Sequence, residues 1–68
     1  MKITVFVEET NERKVLTVAP GATILTLLTT LQQNPDAVVV AKNSTIVPEN
    51  ALLQEGDDIK IFSVISGG

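Results

Sequence analysis

The sequence contains no cysteine and no histidine. Disulfide staples are thereby excluded, as are Cys/His zinc sites and the Ser–His or Cys–His pairs of nucleophilic catalysis. The lack of cysteine also fits an intracellular protein, and a cytoplasmic location is the expectation. Aromatic residues are scarce: Phe6 and Phe62 stand alone, with no Trp or Tyr. Nucleobases would have almost nothing to stack on, and the five Lys and Arg residues form no basic cluster, so nucleic acid is disfavoured as a partner. Long apolar runs are missing too. The longest, Ala37–Ala41, is far too short to span a membrane. Met1-Lys2 leads straight into alternating residues, so no secretory leader is expected.

What remains is a chain of 68 residues, enough for one small domain. Such a chain buries only about 60% of its unfolded surface, so its core must be economical. An apolar content of 44% makes that feasible without metal or disulfide help. The formal charge of -3 suits a protein partner with a basic dock, and it is equally an ordinary solubility charge.

Periodicity divides the chain into six elements with no linker or repeat. Lys2–Glu8 alternates, with Ile3, Val5 and Val7 on one face and Thr4 and Phe6 on the other, as in a half-buried strand. Glu9–Arg13 reads as a polar turn, and Lys14–Val18 as the returning strand of a hairpin with Leu16 and Val18 inward. Pro20-Gly21 ends that strand, and Thr23 is positioned to cap a helix. Ile24, Leu27, Leu28 and Leu31 then fall in one stripe at helical spacing, and Pro35 predicts a helix end near Gln33. Ala37–Lys42 reads as a buried strand, Asn43-Ser44 as a turn, and Thr45–Val47 as a short strand stopped by Pro48. Asn50–Glu55 is irregular, with Leu52 and Leu53 as anchors. Gly56-Asp57 turns the chain into a last strand, Asp58–Val64, with Ile59 and Ile61 facing one way and Lys60, Phe62 and Val64 the other.

The order β-β-α-β-β-β is an α+β pattern, because a doubly wound sheet would need repeated crossovers. One helix packs on one face of a mixed sheet of four to five strands, leaving the other face open. Strand parity places Phe6, Phe62 and Val64 on that open face, with the first and last strands parallel at the sheet centre.

Certain stretches carry a family likeness: Ile46–Pro48 (IVP), Glu55–Phe62 (EGDDIKIF), the ending SVISGG, and Pro20–Leu28 (PGATILTLL) at the strand-to-helix entry. Together they resemble the ubiquitin-like β-grasp fold. Within it they are similar to the small sulfur-carrier proteins, namely the thiamine-pathway carrier (ThiS) and the small subunit of molybdopterin synthase (MoaD). The ending is most similar to the thiamine carrier, and the longer first hairpin to archaeal ubiquitin-like modifiers. Asn43-Ser44 departs from the usual Asn-Gly turn. The resemblance implies a β-grasp domain over residues 1–64 and a flexible Gly-Gly tail over 65–68, monomeric when free.

No nucleophile and base can be assembled from these residues, so the chain is not expected to be an enzyme alone. Asp57-Asp58 reads as a pair of turn residues before a strand rather than as an acid pair. The resemblance places the chemistry at the carboxylate of Gly68. With a reference pKa of about 3.3–3.7 it is ionised and a poor electrophile. It therefore needs a partner, an ATP-dependent adenylating enzyme, to become an acyl-adenylate and then a sulfur-bearing thiocarboxylate. No cofactor is expected on this chain; the ATP belongs to the partner. Gly67, Ser66 and Ile65 would thread into that partner, glycine leaving the carbonyl unhindered. At an average glycine usage of about 7%, a chance pair at one given place has odds of about 0.5%, which favours function over a plain tail of small residues. Phe6, Phe62, Val64 and Lys60 would form the docking face. The sulfur acceptor would be a synthase, such as thiazole synthase or the molybdopterin synthase large subunit, or a tRNA-thiolation system. A protein modifier joined through Gly68 to target-protein lysines is the alternative, and an interaction module with an inert tail the third.

Overall fold

A computed structural model describes residues 1–64 of the chain. Its elements are β1 (Lys2–Val7), β2 (Glu12–Thr17), α1 (Ile24–Thr30), β3 (Val38–Lys42), β4 (Thr45–Val47) and β5 (Asp58–Ser63). The five strands form one mixed sheet in the order β2-β1-β5-β3-β4. β1 and β5 run parallel, while the β1–β2, β3–β4 and β3–β5 pairs are antiparallel. The order expected from the sequence holds, and β1 and β5 do lie side by side in the interior of the sheet.

Alternation along the strands builds the core. Ile3, Val5 and Val7 from β1 and Ile59 and Ile61 from β5 point toward the helix and are almost fully buried. They meet Ile24, Leu27 and Leu28 of α1, with Val40 and Leu53 closing the ends. Leu31 packs at the margin of this cluster, as the helical stripe requires. Each fully buried aliphatic side chain contributes about 1.5–3 kcal/mol, which is how so short a chain holds together without a covalent staple.

Several boundaries differ from the sequence reading. The first turn is shorter than Glu9–Arg13, since β2 already begins at Glu12. Asn11 closes this turn at a φ of 55°, and its N–H bonds the Glu8 carbonyl at 3.1 Å. Asn tolerates the left-handed region, so the chain reverses before Arg13 is reached. The helix also stops early. Thr23 caps its start as expected, its hydroxyl accepting the Thr26 N–H at 3.3 Å. At the other end Gln32 turns left-handed (φ 58°), and the N–H groups of Gln32 and Gln33 bond the carbonyls of Thr29 and Leu28. That paired termination satisfies the last carbonyls three residues before Pro35 could act. Leu52 is 58% exposed and is no anchor. Leu52 forms an isolated antiparallel bridge with Thr23, while its neighbour Leu53 is buried, so the two adjacent side chains face opposite ways. β5 ends at Ser63, one residue short of Val64.

The β3–β4 connection is a two-residue turn, because Lys42 and Thr45 pair directly. Asn43 and Ser44 both have positive φ, 50° and 71°, which defines the mirror-image turn that matches strand twist. Ser44 therefore holds a conformation that glycine adopts at no steric cost. Ser44→Gly is expected to stabilise the domain by about 1 kcal/mol, raising Tm by about 4–8 °C in a thermal melt. An unchanged or lower Tm would show that the turn carries no strain.

Candidate docking face and the exit of the chain

The side of the sheet away from α1 has no helix over it. Register defines its composition row by row. Phe6 stands opposite Arg13 on β2 and beside Lys60 on β5; Lys60 in turn faces Ala41 on β3, and Ala41 faces Ile46 on β4. One row thus crosses all five strands: Arg13, Phe6, Lys60, Ala41, Ile46. The next row sets Phe62 against Val39. Phe6 and Phe62 are half-buried by these neighbours, while Ile46 is 63% exposed. Neither phenylalanine belongs to the core, because β1 and β5 run without a bulge to switch faces.

The structure thus brings together three of the four docking residues expected from the sequence. Phe6 and Lys60 are register neighbours, and Phe62 lies two residues along β5 on the same face. Val64 lies just beyond the strand, 54% exposed, with its N–H bonded to the Ala37 carbonyl at 3.0 Å. That bond ties the residue after β5 to the segment just before β3. Ile65, Ser66, Gly67 and Gly68 lie outside the described residues.

Arg13, Val39, Ala41 and Ile46 were not anticipated on this face. Parity along a strand assigns them to this face only once the register between strands is known. The two-residue turn at Asn43-Ser44 sets the register that puts Ile46 beside Ala41, and the early start of β2 does the same for Arg13.

The opposite end of β5 is held by a polar cluster that the reading of Asp57 as a plain turn residue did not foresee. Asp57 is only 4% exposed. Its carboxylate accepts the Gln54 N–H at 2.7 Å and the Asn43 side-chain amide at 3.1 Å, and lies 3.3 Å from the Lys42 ammonium. Burial alone would raise its pKa. The Gln54 amide, the Asn43 side chain and Lys42 together outweigh that desolvation and hold the carboxyl below the ordinary aspartate value. Lys42 also donates to the Leu52 carbonyl at 2.9 Å. Asn43 accepts the Asp58 N–H at 2.9 Å, and the Asp57 carbonyl accepts the Thr4 N–H at 2.9 Å. The cluster ties the β3–β4 turn, β1 and the start of β5 to one point.

Among the described residues no group of three or more His, Cys, Asp or Glu side chains could hold a metal ion. No helix among them is long and apolar enough to cross a membrane.

A five-stranded mixed sheet, with its first and last strands parallel in the interior and one helix across one face, defines a ubiquitin-like β-grasp protein. The crystal structure of SAMP1 from Haloferax volcanii shows the same fold, with a TM-score of 0.79 over 100% of both chains at 16% sequence identity. No curated protein matches the sequence. The chain belongs to the ThiS family, which it matches over residues 3–68. It is therefore of the ThiS/MoaD-like, ubiquitin-like sulfur-carrier type, a group of small carriers rather than catalysts.

Proposed function

We propose that this chain carries sulfur on the carboxylate of Gly68. The family match carries the reading, since it runs through both terminal glycines. In the proposed sequence, the Gly68 carboxylate attacks the α-phosphorus of ATP on an adenylating enzyme and pyrophosphate leaves. A sulfur nucleophile then displaces AMP, giving a thiocarboxylate that delivers sulfur to an acceptor synthase of thiazole, molybdopterin or tRNA-thiolation type. The ATP and all catalytic groups belong to partners, and the reaction is placed in the cytoplasm. Gly67, Ser66 and Ile65 reach into the enzyme, while Phe6, Phe62, Lys60 and Val64 dock against it.

Intact mass of the protein from its own host tests this. Replacement of one terminal oxygen by sulfur is the expected result. Gly68 found instead in isopeptide bonds to lysines of other proteins would make the chain a modifier.

The docking assignment has its own test. Phe62→Asp places a charge in the apolar row, and it is expected to weaken enzyme-dependent adenylation by about tenfold or more. Because Phe62 is only half-buried, its thermal unfolding should persist near the native temperature. A variant that fails to fold would return Phe62 to the core.

A further inference from the structure

The charges of this chain are sorted by face. Alternation and register put Lys2, Arg13 and Lys60 on the open side of the sheet, with Asp58 the single acid among its strands. Three of the five basic residues and one of the eight acidic residues therefore lie there, a formal charge of +2 on a chain of -3. The other two lysines face the helix side, Lys14 in register with Val5 and Lys42 paired to Asp57. The acids collect elsewhere: Glu8 and Glu9 in the first turn, Glu12 in register with buried Val7, and Asp36, Glu49 and Glu55 in loops.

We propose that the open face recognises a protein surface whose apolar centre is bracketed by carboxylates. This rests on the open face being the dock for the activating enzyme. The net charge taken alone suggests a basic dock; its distribution over the fold reverses that sign. In the row Arg13, Phe6, Lys60, an aromatic ring stands between two exposed cations. Neighbouring strands are about 4.8 Å apart, so these cations leave the sheet about 10 Å apart, astride the ring. A matching surface sets an apolar side chain against Phe6 and an acid against each cation. A basic surface there would meet like charge across a partly desolvated contact and be rejected. Opposite charge at such a rim acts mainly on encounter, so association should weaken as salt rises.

The test uses the full chain and the purified adenylating enzyme of the same host, with ATP–pyrophosphate exchange as readout. The measured quantity is the chain concentration giving half-maximal exchange, across a range of NaCl. Arg13→Glu and Lys60→Glu should each raise it by about tenfold at low salt, with the difference shrinking as salt is added. Lys14→Glu makes the same charge change on the same sheet but on the other face, and should shift it by less than about twofold. Phe62→Ala changes shape without charge and reports on the dock itself.

If Phe62→Ala weakens exchange but the open-face reversals do no more than Lys14→Glu, the charge inference is overturned and the docking assignment stands. If none of these variants weakens exchange, both fall. A wild-type half-saturation that does not change with salt also overturns the inference, and it requires no variant to fold. Both lysines and Arg13 are exposed, so melting temperatures of the reversals should stay within a few degrees of wild type.

Discussion

A chain lacking Gly67 and Gly68 is expected to support no measurable ATP–pyrophosphate exchange with its activating enzyme, a loss of at least about 10²-fold. The shortened chain still ends in a carboxylate, now on Ser66. What it loses is reach and access. Two residues of extended chain span about 7 Å, so a carboxylate seated by the same docking face stops that far short of the ATP α-phosphorus. Misplacement by even about 1 Å costs orders of magnitude in such reactions. The new terminal residue, Ser66, also carries a side chain beside the carboxylate that must reach the α-phosphorus. Among the described residues the core cluster is built from positions before Val64, and the deletion removes none of them, so the thermal transition should remain close to that of the intact chain. Exchange that survives the deletion would remove Gly68 from the chemistry altogether.

The second large effect concerns stability. Asp57→Ala is expected to cost about 3 kcal/mol, seen as a Tm lowered by more than 10 °C or so, or as an equivalent fall in the urea midpoint. The substitution strips the acceptor from the Gln54 N–H and the Asn43 amide, and leaves the Lys42 ammonium without its counter-ion in a mostly buried site. The same carboxylate predicts an acid limb. Its folded pKa lies below the ordinary value of about 3.9, so the folded state binds its proton less readily than the unfolded chain does. The stabilisation is thus fully present above the unfolded value and is lost as pH falls from there through the lower folded value. Asp57→Asn should flatten that limb below about pH 4, because its side chain no longer titrates. It should also be less stable than wild type at neutral pH, since an amide cannot neutralise Lys42. An acid limb identical in wild type and Asp57→Asn would assign the pH dependence to other carboxylates.

Much of this molecule could be read from apolar spacing alone. Ile3, Val5 and Val7, the helical stripe from Ile24 to Leu31, and Ile59 and Ile61 announce both the elements and the face each one buries. Strand parity likewise placed Phe6 and Phe62 on the open side. Less legible were features that depend on how strands are aligned. Nothing in a linear pattern says that Arg13 stands opposite Phe6 or that Ile46 stands beside Ala41, because register follows from turn geometry at Asn11 and at Asn43-Ser44. Leu52 was misplaced for a related reason: two adjacent leucines in extended backbone cannot both point inward. Asp57 reads as a plain turn residue, because the partners that give it a structural role, Lys42, Asn43 and Gln54, are gathered by tertiary structure from two separate turns. Single-residue composition also hid the sorting of charge, since a net value carries no information about faces.

The position of β5 between β1 and β3 has a consequence for how the chain folds. Without this strand the molecule consists of two hairpins, β1–β2 and β3–β4, with no ladder joining them. Each would present its inner backbone edge to solvent, an invitation to pair with other chains. Closure must wait for pairings between the two ends of the sequence, Thr4 with Asp58 and Val7 with Ile61. Such distant contacts slow folding relative to a helical domain of equal length. They also couple the fold to the tail, because the segment that completes the sheet is the one that leads directly into the terminal glycines. An incompletely folded chain would lack the assembled open face.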